Sequence, residues 1–456
     1  MNIVILGAGE VGKQLAFTLS NKDNNVVVVD LSMKLLNRLK DKLDVMTVNG
    51  NCSHFKILST AQLKYADILI ATTGDDASNI LACQIAKNYN VKKIICRLSS
   101  NEYFSKKEDY THSSLGIDHV IFPPDECADK IIRVLKQNIC IENIAFPDKD
   151  AQITAFRIPR SSPLSGVRIL DFPDKKLLSQ IRFSAMIRDQ KFMMPHGDTI
   201  FAVGDEIYVA GCKKNIKKVL QMVDPDASPL KNIIVAGATI IGINLTEKLI
   251  KAGYRVRLIE ESMQKGEALL DELGENLMVL HGDPTDADVL NEAGIETCDA
   301  FISTSTDDEE NIITCILAKK KGAHKVITIT NKAEYVDIVP GINAIDCGFS
   351  PRLGAVNSVL SLLGNETARV HAILQRVTAY VYELNVSPSS PICGKKIFDY
   401  EKKLPVILSL VFRDGAMLPA TGNLELQAND FVAAITTANS IKELEPLFKK
   451  KRLFKI

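Results

Sequence analysis

The 456-residue sequence predicts an α/β protein with two tandem, doubly wound parallel sheets, each followed by a small β-rich α+β lobe. Three observations predict this architecture. A glycine-rich turn between an apolar strand and a helix opens the chain, a second copy returns in the middle, and short apolar strands alternate with helical stretches in each copy. After each copy the pattern changes to alternating strands and turn residues, which is typical of a smaller β-rich module.

The first turn is Gly7-Ala8-Gly9-Glu10-Val11-Gly12, directly after the strand-like run from Asn2 to Leu6. In this pattern the first glycine permits a tight bend, the middle one lets the backbone approach a pyrophosphate, and the last one lets the helix pack closely on the strand. The next apolar strand ends at Asp30, about 20 residues later, where a carboxylate can accept hydrogen bonds from a ribose. The order of these elements predicts a Rossmann-like site for a dinucleotide or an adenine nucleotide. The alternative is a closely packed βαβ turn that binds nothing.

The same plan returns in the second half of the chain. The second glycine turn begins at Gly237, 230 residues after the first one begins at Gly7. Further along, the offset is 232, because the run from Thr73 to Asn79 matches the run from Ser305 to Asn311. Matches in the same order at nearly the same spacing indicate a duplication of the whole plan.

The duplication divides the chain into four predicted parts. Residues 1–122 form the first Rossmann-like lobe, 123–225 a linking helix and the first small lobe, 230–349 the second Rossmann-like lobe, and 350–456 a second linking helix and small lobe. Pro123-Pro124 and Ser350-Pro351 precede the two linking helices. The segment from Val223 to Pro229 is the predicted linker between the copies, because prolines and acidic residues dominate it.

Composition argues against several classes of protein. The chain has 55 basic and 55 acidic side chains, so no overall positive field indicates nucleic-acid binding. Its ten cysteines form no CxxC pair and its seven histidines are dispersed, so a zinc or redox site has little support. The sequence contains neither a signal peptide nor an apolar run near about 18 residues. We therefore expect a cytoplasmic chain that does not itself span a membrane.

Acidic residues follow the fourth strand of each copy and could indicate a metal site. They are Asp75, Asp76, Asp307, Asp308 and Glu309. Each group opens a helix, where carboxylates cap backbone amides and are stabilised by the helix dipole. Helix capping is therefore the favoured interpretation, and no metal site is predicted.

Taken together, these motifs resemble the TrkA family of potassium uptake regulatory subunits, whose chains hold two tandem RCK (also called KTN) units. The matching segments of the first copy are GAGEVG from Gly7, VVVVD ending at Asp30, TTGDDASNILACQIAK from Thr72 and IDHVIFPP from Ile117. Those of the second copy are GATIIG from Gly237, STDDEENIITCILAK from Ser305 and FSP from Phe349. The resemblance extends over essentially the whole chain, including both small lobes.

The resemblance implies a cytosolic regulatory subunit that binds NAD(H), with ATP or ADP as further ligands, and gates a membrane potassium-translocating partner of the TrkH or TrkG type. It also implies a ring-like homotetramer that is attached peripherally to the inner face of the cell membrane. None of these properties follows from composition or periodicity.

Carried over to this sequence, the resemblance gives the glycine loop a role in binding pyrophosphate and Asp30 a role in binding ribose. Asn51 follows the third strand and is expected on the adenine side. Thr72, Thr73 and Gly74 follow the fourth strand, and their hydroxyl and amide groups are candidate contacts; the alternative is a plain turn. Arg97 ends the fifth strand, where the family has an arginine near the phosphates; the alternative is a solvated surface arginine.

The second copy supplies a matching set of candidate residues. They are Gly237, Ala238, Thr239, Ile240, Ile241, Gly242, Glu260, Asp283 and Thr304. Two departures stand out, since Thr239 replaces the middle glycine and Ile329 replaces Arg97. The second site is therefore predicted either to bind nucleotide more weakly or to be a structural copy.

An NAD-dependent oxidoreductase is the alternative function. Such an enzyme needs a general acid or base and a substrate clamp beside the nicotinamide. His196 is the single histidine of the first small lobe, and the second small lobe has none between Pro391 and Leu447. The sequence therefore favours a ligand sensor over an enzyme.

Overall fold

The computed structural model describes residues 1–20, 24–100, 102–104, 111–146, 149–332, 335, 338–342, 344–363, 368–374, 379–401, 406–437 and 440–450. The chain forms two compact units. One consists of Met1–Cys127 and Ser350–Leu360, and the other consists of Ala128–Phe349 and Ser361–Ile456. In the described part of the chain, the first unit holds one six-stranded sheet and the second unit holds three sheets.

The first unit is built on a parallel sheet. Its strands are β1 (Asn2–Leu6), β2 (Asn25–Asp30), β3 (Met46–Asn49), β4 (Ile68–Ala71), β5 (Lys93–Arg97) and β6 (His119–Ile121). Its helices are α1 (Glu10–Ser20), α2 (Met33–Lys40), α3 (Phe55–Thr60), α4 (Asp76–Asn88) and the start of α5 (Pro123–Leu135). The strand order is β3-β2-β1-β4-β5-β6, so the direction in which strands are added reverses between β1 and β4.

Burial explains why the central strands of this sheet are continuous apolar runs. Ile3, Ile5 and Leu6 of β1 are completely buried, and so is most of β4. Helices cover both faces of a sheet built from βαβ units, so inward- and outward-facing side chains are equally protected. The helix α1 buries Val11, Leu15 and Leu19 on one face against this sheet, as its amphipathic pattern predicts.

The second unit contains a sheet with the same topology. The strands of the first small lobe come before it in the chain. They are β7 (Cys140–Phe146), β8 (Ala151–Arg157), β9 (Arg182–Arg188), β10 (Lys191–Met193) and β11 (Glu206–Cys212). The strands of the parallel sheet are β12 (Asn232–Ala236), β13 (Arg255–Glu260), β14 (Leu277–His281), β15 (Ala300–Ser303), β16 (Lys325–Ile329) and β17 (Cys347–Phe349). Their order, β14-β13-β12-β15-β16-β17, repeats that of the first sheet.

The helices between these strands also follow the plan of the first copy. The first small lobe has α6 (Lys175–Leu178) and α7 (Lys213–Val223). The second parallel sheet has α8 (Ile240–Lys251), α9 (Met263–Leu273), α10 (Ala287–Glu292) and α11 (Asp308–Lys320). The second linking helix is α12 (Pro351–Leu362), and its residues 351–360 belong to the first unit.

The second small lobe repeats the first. Its strands are β18 (Ala368–Ile373), β19 (Tyr380–Asn385), β20 (Val406–Arg413), β21 (Ala416–Pro419) and β22 (Phe431–Thr436), and its helices are α13 (Phe398–Glu401) and α14 (Ile441–Phe448). Both small lobes are antiparallel five-stranded sheets, ordered β10-β9-β11-β8-β7 and β18-β19-β22-β20-β21. The predicted fold class is therefore confirmed, whereas the four domain boundaries stay predictions.

A buried ion pair recurs in the two small lobes. Arg188 Nε and Nη2 donate to the two carboxylate oxygens of Asp205 at 2.7 and 2.6 Å, and Arg413 makes the same fork with Asp430 at 2.8 Å for both bonds. Asp430 also accepts a hydrogen bond from Gln427 N at 2.7 Å. Each pair joins a hairpin strand to the turn before the last strand of its lobe. This contact explains why an arginine and an aspartate recur at matching positions of both copies.

Membrane insertion was not expected from the sequence. Within the described ranges, no helix is both long and apolar enough to cross a membrane.

Replacing Asp430 with Ala should lower the free energy of unfolding by about 3 kcal/mol, because Arg413 would lose its carboxylate inside the lobe. The control is Asp171→Ala, since the Asp171–Arg168 pair is exposed on both sides and should contribute less than about 1 kcal/mol. Urea unfolding of the full chain, followed by circular dichroism, measures both losses. Losses of equal size would contradict a structural role for the buried fork.

Candidate nucleotide-binding site

The candidate site lies in the first unit, at the carboxyl ends of the strands beside the reversal of strand order. The glycine loop follows β1, Asp30 ends β2, the turn from Thr72 to Gly74 follows β4, and Arg97 ends β5. Because parallel strands present the same ends at one edge, the fold brings these four segments to a single edge of the sheet.

Close packing and open space alternate along the glycine loop. Gly7 has a φ of +101°, which side chains rarely adopt. A Cβ atom on Gly12 would lie 1.9 Å from the Gly7 carbonyl oxygen, so only glycine lets α1 start this close to the loop. By contrast, a Cβ atom on Gly9 would meet no atom within 4 Å. The middle glycine therefore faces open space at the start of a helix, which is the arrangement that a pyrophosphate needs.

The Asp30 carboxylate supports this loop from the neighbouring strand. Ala8 N donates to Asp30 Oδ2 at 2.6 Å, and Ser32 N donates to Oδ1 at 2.7 Å. An ionised carboxylate has about four acceptor positions, so capacity remains for a ribose hydroxyl. In the second copy, Ala238 N donates to Glu260 Oε2 at the same 2.6 Å. The acid at the end of the second strand thus has a structural role in both copies, in addition to any contact with a ribose.

The turn after β4 is held by its own polar side chains. The Thr72 hydroxyl is buried and donates to the last carbonyl of β1 at 2.9 Å, and the Thr73 hydroxyl donates to Asn79 Oδ1 at 2.7 Å. Asn79 Nδ2 donates to the carbonyls of Thr73 and Arg97 at 3.2 and 3.1 Å. Gly74 is exposed, and a Cβ atom there would meet nothing within 4 Å. The two hydroxyls therefore hold the turn, and the ligand contacts expected of these three residues stay a prediction.

The residue after β3 differs chemically between the copies. Asn51 Oδ1 accepts hydrogen bonds from Ser53 N at 2.9 Å and from its hydroxyl at 2.7 Å, and Asp283 Oδ1 does the same for Thr285 at 2.7 and 2.6 Å. In the described part of the chain, no group accepts from Asn51 Nδ2. Asn51 thus keeps an N–H donor for a base, whereas an ionised Asp283 has no donor.

Arg97 is half-buried at the end of β5. Its Nη1 donates to the Thr73 carbonyl at 3.1 Å, while its buried Nε has no partner among the described residues. Burial lowers the pKa of the guanidinium; the negative charge of Asp76 opposes this shift, and the positive charge of Arg352 on α12 adds to it. An unpartnered N–H group on Arg97, with the second positive charge of Arg352 acting on the same side chain, favours an anionic ligand. This environment is not that of a solvated surface arginine.

Thr239 changes the start of the helix in the second copy. Its hydroxyl accepts from Gly242 N at 3.2 Å and donates to the Thr304 carbonyl at 2.7 Å. The hydroxyl therefore caps a first-turn amide of α8, and the chain itself occupies part of the anion-binding end of the helix. Gly9 has no side chain, so the matching amide at Gly12 cannot be capped from that position.

The remaining positions of the second copy show the same divergence. Ile329 is completely buried at the end of β16, so no cation stands where Arg97 stands in the first copy. Ile240, which is 56% exposed, replaces the carboxylate of Glu10, and Ile241 follows it half-buried. The Thr304 hydroxyl lies 3.0 Å from the Ala236 carbonyl, as Thr72 lies 2.9 Å from that of Leu6, and also 2.7 Å from the Gly237 carbonyl.

The acidic residues after β4 and β15 have structural partners. Asp75 and Asp307 are the N-cap residues of α4 and α11, and each accepts a backbone N–H at 3.0 Å, which confirms the capping interpretation for both. Hydrogen bonds from Lys332 and then Tyr335 lower the pKa of Glu309 to about 2. Among the described residues, no three metal-ligating side chains converge on a point where they could hold an ion.

The residues of the first copy fit a phosphate-containing nucleotide. The space beside Gly9 is open, whereas Thr239 caps the matching amide in the second copy, and Arg97 offers an N–H group that no described residue uses. Sequence reasoning missed two residues here. Asn79 had a signal, because its match, Asn311, lies in the repeated run; Arg352 had none, because only packing within the first unit brings it near Arg97.

Two models of known protein families each match this chain twice, in the order of the lobes described above. A family model described as the TrkA-N domain matches residues 3–123 and 233–347, and one described as the TrkA-C domain matches residues 153–224 and 381–449. The TrkA-N matches contain both glycine loops, and the TrkA-C matches contain both buried arginine–aspartate forks.

Curated relatives match over nearly the whole chain. The Trk system potassium uptake protein TrkA of Vibrio alginolyticus is 29% identical, with 100% of both chains covered. The protein of the same name from Halomonas elongata is 30% identical over 98% of this chain and 99% of its own. The TrkA homolog 1 of Methanosarcina mazei is 30% identical over 98% of this chain and 100% of its own.

Solved structures share the fold at lower identity. The GsuK RCK domain has a TM-score of 0.60 and 18% identity and covers 98% of this chain and 94% of its own. The GsuK channel bound to NAD has a TM-score of 0.60 and 17% identity over 98% of this chain and 78% of its own. At this identity the likeness concerns the fold alone.

These relatives are named as potassium uptake proteins and RCK domains, not as oxidoreductases, which supports the prediction of a regulatory protein rather than an enzyme. The family models match in tandem, and the relatives match from end to end. The chain therefore belongs to the TrkA family of Trk system potassium uptake proteins.

Proposed function

We propose that this chain is a cytoplasmic regulatory subunit of a potassium uptake system, which binds NAD(H) or an adenine nucleotide and thereby gates a membrane potassium-translocating partner. The observation that carries the nucleotide part is that open space at Gly9 and an unpartnered Nε of Arg97 lie at the same edge of the first sheet. The names of the full-length relatives support the link to potassium uptake. That a structure of the same fold is described as bound to NAD is consistent with the proposal.

Each residue of the first site has a distinct role in this proposal. The amides at the start of α1 bind the pyrophosphate, whose negative charge the helix dipole stabilises. Asp30 accepts a ribose hydroxyl while it holds the loop, and Asn51 donates to the base. Arg97 pairs with a phosphate oxygen through the N–H groups that are not used within the protein. Together these contacts orient the nucleotide along the carboxyl edge of the sheet.

Gating follows from unequal binding to two conformations. A ligand shifts an equilibrium only if it binds one state more tightly, and a change from 1:99 to 99:1 requires about 5.5 kcal/mol. If four chains assemble around the partner, each strong site needs to supply only about 1.4 kcal/mol. That amount corresponds to about one hydrogen bond gained or lost per site. Nucleotides of different charge, such as NADH and ATP, would favour different states by competing for the glycine loop and Arg97.

The assembly in this proposal is a homotetramer at the inner face of the cell membrane, next to a TrkH- or TrkG-like subunit. The family membership supports a membrane potassium transporter as partner. Balanced charge, with 55 basic and 55 acidic side chains, favours a specific protein contact over general attraction to anionic lipids.

Titration of the purified protein with NADH should give a stoichiometry near one per chain. The physical reason is that the Thr239 hydroxyl caps the helix amide of the second site and that Ile329 supplies no charge there. Isothermal titration calorimetry measures the stoichiometry directly. Two equal sites per chain would refute the assignment of the second copy as degenerate.

Replacing Arg97 with Ala should weaken ATP binding by at least about tenfold and NADH binding less, because a charge-assisted contact with an extra phosphate is worth about 1.5 to 3 kcal/mol. Competition titrations of both ligands on the variant measure the two losses. Arg160→Ala removes an exposed arginine of the first small lobe and serves as the control. Equal losses for ATP and NADH would count against a phosphate contact at Arg97.

Exchanging the middle residue of the two loops tests the self-capping mechanism. Gly9→Thr should reduce NADH affinity at least about tenfold, because the new hydroxyl can cap the Gly12 amide and its side chain fills the open space. Thr239→Gly is the matched variant and should leave the NADH affinity of the first site unchanged. Calorimetry reads both, and an unchanged affinity in Gly9→Thr would show that the loop does not bind the pyrophosphate.

A further inference from the structure

The second parallel sheet has a cavity at the edge opposite to its glycine loop, where β12, β13 and β14 begin. Its volume is about 640 Å³, which lies inside the range of about 300 to 1,000 Å³ typical of small-molecule sites. The residues that matter for its chemistry are Asn232, Ile234, Tyr254, Arg255, Arg257 and Met278. Neither the nucleotide site nor the family comparison accounts for this cavity.

The strand register places two arginines side by side on one face of the sheet. Arg255 and Arg257 are separated by one residue of β13, so both side chains point to the same face. Arg257 lies opposite Ile234 on β12 and Met278 on β14, and Arg255 lies opposite Asn232. The cavity therefore has a cationic row flanked by apolar side chains.

The charge of this row is not neutralised within the described residues. Neither Arg255 nor Arg257 forms an ion pair with a described carboxylate. Arg257 Nη1 donates to the Ala293 carbonyl at 2.7 Å, and its other N–H groups have no described partner. The nearby carboxylate of Asp299 already accepts hydrogen bonds from the backbone N–H groups of Lys231 and Asn232, both at 2.7 Å. Two neighbouring like charges without a counter-ion favour an anion between them.

The other residues that line the cavity offer hydrogen-bond donors or apolar surface. Burial raises the pKa of Tyr254, so its hydroxyl stays protonated at neutral pH and can donate a hydrogen bond. Asn232 Nδ2 donates to Asp299 Oδ2 at 3.4 Å and has a second N–H group at the cavity wall. Met278, which is 51% exposed, offers apolar surface next to these donors, whereas Ile234 is buried in the core. The lining thus combines two neighbouring positive charges with hydrogen-bond donors and an exposed apolar side chain.

The first copy provides an internal comparison, because it lacks this row. Asn25 and Val27 stand where Arg255 and Arg257 stand, in the same register with Asn2 and Val4. Val27 is buried, with 9% of its surface exposed. The two arginines therefore belong to the second copy alone and are not required to build the parallel sheet.

We propose that the cavity at the amino-terminal edge of the second parallel sheet binds a small phosphate monoester, with Arg255 and Arg257 contacting the phosphate and Met278 the organic group. The site is separate from the nucleotide site of the first copy and does not depend on it. The second half of the chain, whose glycine loop is capped by Thr239, thereby has a ligand of its own.

Arg257 also has a structural contact, since its bond to Ala293 caps the carbonyl end of α10. A purely structural arginine would need only this bond. Arg255 is exposed and has no such bond, so its replacement does not disturb the fold. A variant at Arg257 removes both the helix cap and a positive charge, whereas a variant at Arg255 removes only a positive charge. Comparing the two therefore separates anion binding from helix capping.

The test is calorimetric titration of the full-length protein with phenyl phosphate, which carries a phosphate and an apolar ring, in the presence of saturating NADH. Inorganic phosphate and phenol are the reference probes. Arg255→Asn and Arg257→Val introduce the residues of the first copy, and Arg160→Asn is a matched control at an exposed arginine outside the cavity. A urea unfolding curve for each variant reports separately on stability.

We expect one phenyl phosphate per chain, bound more tightly than inorganic phosphate, and no heat from phenol. Arg255→Asn and Arg257→Val should each weaken binding at least about tenfold, while Arg160→Asn should not change it. Absence of phenyl phosphate binding, or unchanged affinity in Arg255→Asn, would overturn the proposal. Binding that is lost when NADH is added would also overturn it, because the probe would then occupy the nucleotide site. If NADH itself does not bind, the variants still decide the question.

Discussion

The structure of each parallel sheet depends on the close approach of two backbone segments at the glycine loop. A Cβ atom at the last glycine would lie 1.9 Å from the Gly7 carbonyl in the first copy and 2.1 Å from the Gly237 carbonyl in the second. This contact fixes where the first helix starts relative to the first strand. The acid at the end of the next strand then holds the loop from the other side, through Asp30 or Glu260. Both copies keep this frame whether or not they keep the ligand contacts.

Comparison of the two copies therefore distinguishes the residues that folding requires from those that only ligand binding would require. The outer glycines, the acid and the buried asparagine of the fourth-strand turn are common to both copies, and each makes the same contact in both. The middle glycine and Arg97 occur only in the first copy, and neither is needed for packing, because Gly9 faces open space and Ile329 fills the position of Arg97 in the core. The second copy instead carries arginines at its opposite edge. The frame of a lobe can thus be retained while the charged residues at either edge of its sheet change.

Two polar contacts inside the second unit connect other parts of the unit to the strand β7. The ammonium group of Lys325, at the start of β16, is buried and donates to the carbonyls of Asn138 and Cys140 at 2.6 Å. It thereby ties the second parallel sheet to the first strand of the first small lobe. His371 of the second small lobe stacks on Phe146, and its Nε2 donates to the Ala145 carbonyl at 3.0 Å, so it contacts the same strand. Since a buried polar contact is costly to leave unmade, these joints favour movement of the joined parts as one body.

The sequence alone determined the fold class and the duplication and predicted the residues of the first site, because the glycine spacing, the strand-ending acid and the repeated runs are local patterns with a physical meaning at short range. Tertiary structure alone decided what each polar group does. Thr72 and Thr73 have the same local signal as ligand-binding hydroxyls, yet the first donates to the last carbonyl of β1 and the second to the Asn79 side chain of α4. The hydroxyl of Thr239 caps its helix, and Arg352 lies near Arg97 although 255 residues separate them in sequence. A hydrogen bond or a charge interaction depends on distances of a few ångströms between segments far apart in the chain, and only packing sets those distances.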